Sequence, residues 1–120
     1  MLVWDEVDVL AVLETEPVIE TDCIWYTYSV KKDGLELKIT IYQYDGDVYF
    51  ELFSDGIDNS IFSMNLMDCA GVKRRFEKSG EYLEFAPSGC FKTSRYDGEM
   101  SIPYGVRVSI KPSIKVELYG

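Results

Sequence analysis

Two Asp-Gly dipeptides, Asp33-Gly34 and Asp45-Gly46, stand between runs that alternate between apolar and polar residues. That combination is the strongest short-range signal for a hairpin closed by a two-residue turn. With Asp45-Gly46 as such a turn, Tyr44 pairs with Asp47, so Tyr42 faces Tyr49, Ile41 faces Phe50 and Ile39 faces Leu52. Leu37, Ile39 and Ile41 then share one face with Val48, Phe50 and Leu52. A slip of one residue would set Ile41 against Glu51 and scatter the apolar set over both faces. Asp33-Gly34 as a second two-residue turn pairs Lys32 with Leu35 and sets Val30, Tyr28 and Tyr26 opposite Leu37, Ile39 and Ile41. Two independent turn signals therefore agree on one meander of strands 23–32, 35–44 and 47–53.

The second face of this sheet carries the candidate site. The same register places Trp25 beside Tyr42 and Tyr42 beside Tyr49, with Thr27, Thr40 and Glu51 in the next row. Trp and Tyr are typical anchors of protein interfaces, so Trp25, Tyr42, Tyr49 and Glu51 are the expected partner-binding residues. The alternative is a second core, covered by the N-terminal helix or by strand 106–118, since a sheet with two apolar faces usually lies between layers.

Elsewhere the pattern is less decisive. Val3, Trp4, Val7, Leu10 and Ala11 fit a helical stripe opposite Asp5, Glu6 and Asp8, and predict a helix over 3–14 that ends before Pro17. A Val-rich strand over 7–13 is the rival. Residues 60–66 read as a strand with Phe62, Met64 and Leu66 on one side. Residues 68–84 fit either a helix capped by Asp68 and Gly80, or a hairpin turning at Ser79-Gly80 that pairs Lys78 with Glu81, Phe76 with Leu83 and Arg75 with Glu84. The hairpin, near 72–86, is preferred, because Gly71 weakens the helix by about 1 kcal/mol. Pro and Gly punctuate 86–105 as loop, with brief pairing at 90–93. From Val106 to Leu118 the apolar residues are all even-numbered across Pro112. A two-residue Pro112-Ser113 turn would break that phase, so one continuous strand bent at Pro112 is expected, at an edge or bulge. The fold class is mainly β: an antiparallel meander forming a sandwich or partly open barrel, with a short N-terminal helix, in one domain spanning 1–120.

Charge and missing residue types narrow the function. The chain of 120 residues has a net charge of −9. Residues 1–60 hold 14 acidic and 3 basic side chains, and residues 61–120 hold 7 and 9. An acidic half attracts a basic partner and disfavours nucleic acid. There is no histidine, which removes the commonest general base and transition-metal ligand. Cys23, Cys69 and Cys90 are odd in number and lack a Cys-x-x-Cys spacing, which fits a reducing cytosol better than a disulfide scaffold. No leader pattern or apolar run long enough to span a membrane is present, so a cytoplasmic location is expected. Asp45, Asp47, Asp55 and Asp58 match a calcium loop poorly and read as turn builders. The run Lys73-Arg74-Arg75 with Lys78 reads as a solvated strand or helix end. No cofactor or metal is expected. The leading expectation is a non-enzymatic protein that binds a basic protein partner, of inhibitor or immunity type. A small-ligand β-barrel and a carboxylate-based hydrolase are the runners-up.

Overall fold

The computed structural model describes residues 2–87 and 105–119. Two antiparallel sheets face each other across one core. The first has five strands in the order β1 (Val18–Ile19), β2 (Tyr26–Lys32), β3 (Leu35–Tyr42), β4 (Asp47–Ser54) and β5 (Phe62–Leu66). The second has four, β6 (Cys69–Glu77), β7 (Gly80–Pro87), β8 (Gly105–Ser109) and β9 (Lys115–Tyr119). A helix, α1 (Glu6–Leu13), precedes both sheets. The expected pairing at 90–93 lies outside the described residues.

The core follows from strand alternation. Tyr28, Val30, Leu37, Ile39, Ile41, Val48 and Phe50 of the first sheet meet Val72, Leu83, Phe85, Val106 and Val108 of the second. Phe50 and Phe85 touch edge to face, with centroids 4.9 Å apart. That contact fills the space between the sheets where a ligand-binding barrel would keep its cavity. Cys69 is buried in the same core, and its Sγ donates to Gly71 O at 3.3 Å.

The Asp33-Gly34 turn is as expected, with Lys32 opposite Leu35 and Tyr26 opposite Ile41. The Asp45-Gly46 hairpin is not. Tyr42 pairs with Asp47, Ile41 with Val48 and Ile39 with Phe50, so the loop has four residues, 43–46. Gly46 sits at its end with φ of +80°, and its N–H donates to Tyr42 O at 2.8 Å. The cause is tertiary. Leu2 N–H donates to Gln43 O at 3.0 Å, and Cys69 N–H donates to Gly46 O at 2.6 Å. Both carbonyls serve other segments, so neither residue extends the ladder. The register moves by two, which leaves every side chain on its expected face.

The hairpin at 72–86 also forms, again displaced by two. Glu77 pairs with Gly80 across Lys78-Ser79, and Arg75 lies opposite Tyr82. Two diagonal ion pairs, Arg74–Glu81 and Arg75–Glu84, suit this register. The C-terminal segment corrects the expectation of one bent strand. Val106 pairs with Leu118, Val108 with Val116 and Ser109 with Lys115. The chain reverses through a five-residue connection, 110–114. An odd loop keeps even-numbered residues on one face, so the phase survives a reversal that a two-residue loop would not permit. Pro112, which lacks a backbone donor, is in the loop.

Helix α1 forms within the expected span but shows the other face. Asp5 caps it by accepting the Val7 N–H at 2.9 Å. Val9, Val12 and Leu13 are buried, whereas Val7 and Leu10 are exposed. Residues 9, 12 and 13 also have i, i+3, i+4 spacing, and they pack toward β6 and β7. The segment ahead of the helix joins the sheets, since Val3 N–H donates to Ala70 O and Val3 O accepts from the Val72 N–H.

Candidate functional site

Because α1 packs on the second sheet, it leaves the outer face of β2–β5 uncovered. Side chains here alternate with the core residues. Successive rungs across the strands read Thr27, Thr40, Tyr49, Asn65, and then Ser29, Lys38, Glu51, Ser63. Thr27 and Thr40 hydroxyls are 3.3 Å apart. Trp25, just before β2, lies against Tyr42 with ring centroids 5.7 Å apart and a tilt of 45°. Trp25, Tyr42, Tyr49 and Glu51 are all half-buried, so each offers surface to solvent.

The two-residue register shift changes which of them meet. Tyr42 does not face Tyr49. It faces Asp47, and Tyr49 is one rung along, opposite Thr40. Glu51 faces Lys38 rather than joining Thr27 and Thr40. The aromatic row of the sequence analysis is therefore a diagonal band. The shift also assembles something the sequence did not announce. Tyr42, Tyr49, Asp45, Asp47 and Asn65 line a depression of about 360 Å³. Asp47 Oδ1 accepts the Asp68 N–H at 3.3 Å, which holds that carboxylate beside Tyr42. Asp45 and Asp47 were legible only as turn residues; a four-residue loop count would have brought them to the tyrosines.

Asp55 and Asp58 lie elsewhere, with Lys31, Lys32 and Gly34 around an open depression at the far end of β4. The length of β4 separates them from Asp47 by roughly 20 Å at ~3.3 Å per residue. The four acids do not converge, and among the described residues no group of three or more His, Cys, Asp or Glu is placed to hold a metal.

The second sheet has a polar outer face of its own. Arg75, Glu84, Arg107 and Tyr119 cluster there, with the Arg107 guanidinium 4.1 Å from the Tyr119 ring centre and 5.1 Å from that of Tyr82. Burial, then the charge of Glu84, pushes the Tyr119 hydroxyl up to about 12. In the first sheet, burial and then Glu6 hold the Tyr28 hydroxyl well above the usual phenol range. No helix among the described residues is long and apolar enough to cross a membrane.

No family model and no curated protein matches this chain. A solved structure does. The chain is similar to one from a contact-dependent growth inhibition toxin–immunity protein complex from Klebsiella pneumoniae 342. The identity is 21%, the TM-score is 0.75, and the match covers 98% of this chain and 95% of the other. The likeness extends over both sheets and supports a mainly β, two-sheet fold.

Proposed function

We propose that this chain is a non-enzymatic, cytoplasmic inhibitor of immunity type, which neutralises a basic protein by binding it on the outer face of β2–β5. The observation that carries the reading is the fold shared over nearly its whole length with a chain of a toxin–immunity complex. The net charge of −9 and the absence of histidine favour the inhibitor over the toxin as the role. An inhibitor needs a complementary surface and no proton shuttle.

Trp25, Tyr42 and Tyr49 serve as anchors, because rigid aromatic side chains lose little entropy on docking. The depression between Tyr42 and Tyr49 receives a single Lys or Arg side chain of the partner. Asp45 and Asp47 take its charge, and the tyrosine rings face its cation. Glu51, opposite Lys38, belongs to the rim and sets orientation more than affinity.

The test pairs protection with binding. Cells that make a toxin encoded beside this chain should grow when the chain is co-expressed. Tyr42→Ala with Tyr49→Ala should abolish both growth and complex formation, with the far-UV circular dichroism unchanged. Growth that survives the double substitution would remove the site from this face. Failure to bind any co-encoded toxin would end the immunity reading.

A further inference from the structure

Helix α1 turns an apolar edge away from the core. Val7 is 68% exposed and Leu10 43%. In the short strand β1, Val18 is 67% exposed and Ile19 47%. Six of the twelve large apolar side chains exposed among the described residues fall within the first 24 positions. Three of the six, Val7, Leu10 and Ile19, come together. Val7, Leu10, Pro17 and Ile19 line a groove of about 280 Å³ between helix and strand, with the buried Tyr28 behind them. A contiguous apolar groove on a small soluble domain marks an interaction site.

Its charge is as one-sided as its walls are apolar. Glu6 and Glu16 line the groove, and no basic residue does. The first 24 positions hold seven acidic side chains and no Lys or Arg. Among the described residues, Glu14 alone of these acids is ion-paired, with Lys111. A second copy of the chain would bring the same negative rim into contact with itself. An anionic membrane would be repelled as well. The complementary occupant presents an apolar ridge flanked by cations.

We infer that this groove docks a cationic amphipathic segment of a protein partner, with apolar side chains against Val7, Leu10 and Ile19 and Lys or Arg against Glu6 and Glu16. None of these residues belongs to the aromatic face of β2–β5, so the inference stands apart from the immunity reading. A segment laid as a helix would use anchors at i, i+3 and i+4.

The test uses two synthetic amphipathic helical peptides with one leucine face, one bearing Lys on the polar face and the other Glu. Each is titrated into isotope-labelled protein and followed by amide chemical shifts. The Lys peptide should shift amides of Val7, Leu10, Val18 and Ile19, and the Glu peptide should shift none. Leu10→Asp and the pair Glu6→Lys with Glu16→Lys should each weaken the Lys peptide roughly tenfold. These positions are exposed, and the remaining amide spectrum reports that the fold is kept. Equal binding of both peptides would overturn the inference. So would shifts confined to the Trp25, Tyr42 and Tyr49 face, unaltered affinity in the variants, or self-association through Val7 and Leu10.

Discussion

Glu84 is the buried charged side chain among the described residues, fully covered although strand alternation turns it away from the inter-sheet core. Arg75 Nη2 stands 3.5 Å from its carboxylate. Removing one partner from such a pair strands the other, which typically costs 3–5 kcal/mol. Glu84→Ala should therefore lower the unfolding free energy by about 3 kcal/mol in a denaturant titration. A loss under ~1 kcal/mol would mean that solvent reaches Arg75 freely. The same cluster sets an alkaline limit. Tyr119 ionises near 12 when folded, against 10 for an ordinary phenol, chiefly because it is buried. The folded state therefore keeps this proton longer than the unfolded chain. Its contribution is complete below pH 10 and declines as pH climbs from 10 through 12. Tyr119→Phe should flatten the fall in stability across that window, read by unfolding at a series of pH values. An unchanged slope would assign the alkaline loss to other groups.

At the scale of elements, α1 offers a matched comparison. Leu13 is buried against the core and Leu10, almost one turn earlier, is exposed. Leu13→Ala should cost about 3 kcal/mol, the usual range for a core leucine. Leu10→Ala should stay within about 0.5 kcal/mol. Thermal and denaturant unfolding of the two variants would show the reverse order if the helix faced the other way. The helix also shows what the sequence can carry. Its eight residues are apolar on nearly every side, so periodicity favoured a helix over the rival strand at 7–13 but left two faces equally apolar. Strands were more legible because their period is two. Parity survived in both hairpins whose turns were misplaced: a displacement of two residues exchanges cross-strand neighbours without turning any side chain over. The neighbours themselves were lost, and with them the site's arrangement. Tyr42 meets Asp47 because Gln43 and Gly46 lend their carbonyls to Leu2 and Cys69, distant segments that no local dipeptide reveals. Pro112 misled for a similar reason. Even-numbered periodicity is equally satisfied by a continuous strand and by a reversal through an odd loop, and only the partner strand distinguishes them.

Across the whole molecule, charge divides much as the sheets do. The acidic half of the chain supplies α1 and most of the five-stranded sheet, while residues 61–120 carry a net +2 and supply the four-stranded sheet. Both the aromatic face and the helix groove are thus built mainly from the acidic half of the chain. The field of that half acts mainly on encounter, because it orients a cationic partner before contact. In the proposed complex, short-range packing of Trp25, Tyr42 and Tyr49 would act mainly on escape. The two contributions are separable by stopped-flow measurement on the complex. Raising salt from about 0.1 M to 1 M shortens the screening length from about 10 Å to about 3 Å. The association rate should fall by roughly tenfold or more, while the dissociation rate changes little. Tyr42→Ala should do the opposite, speeding dissociation with association nearly constant. An association rate indifferent to salt would detach the acidic half from recognition and leave its charge a solubility device.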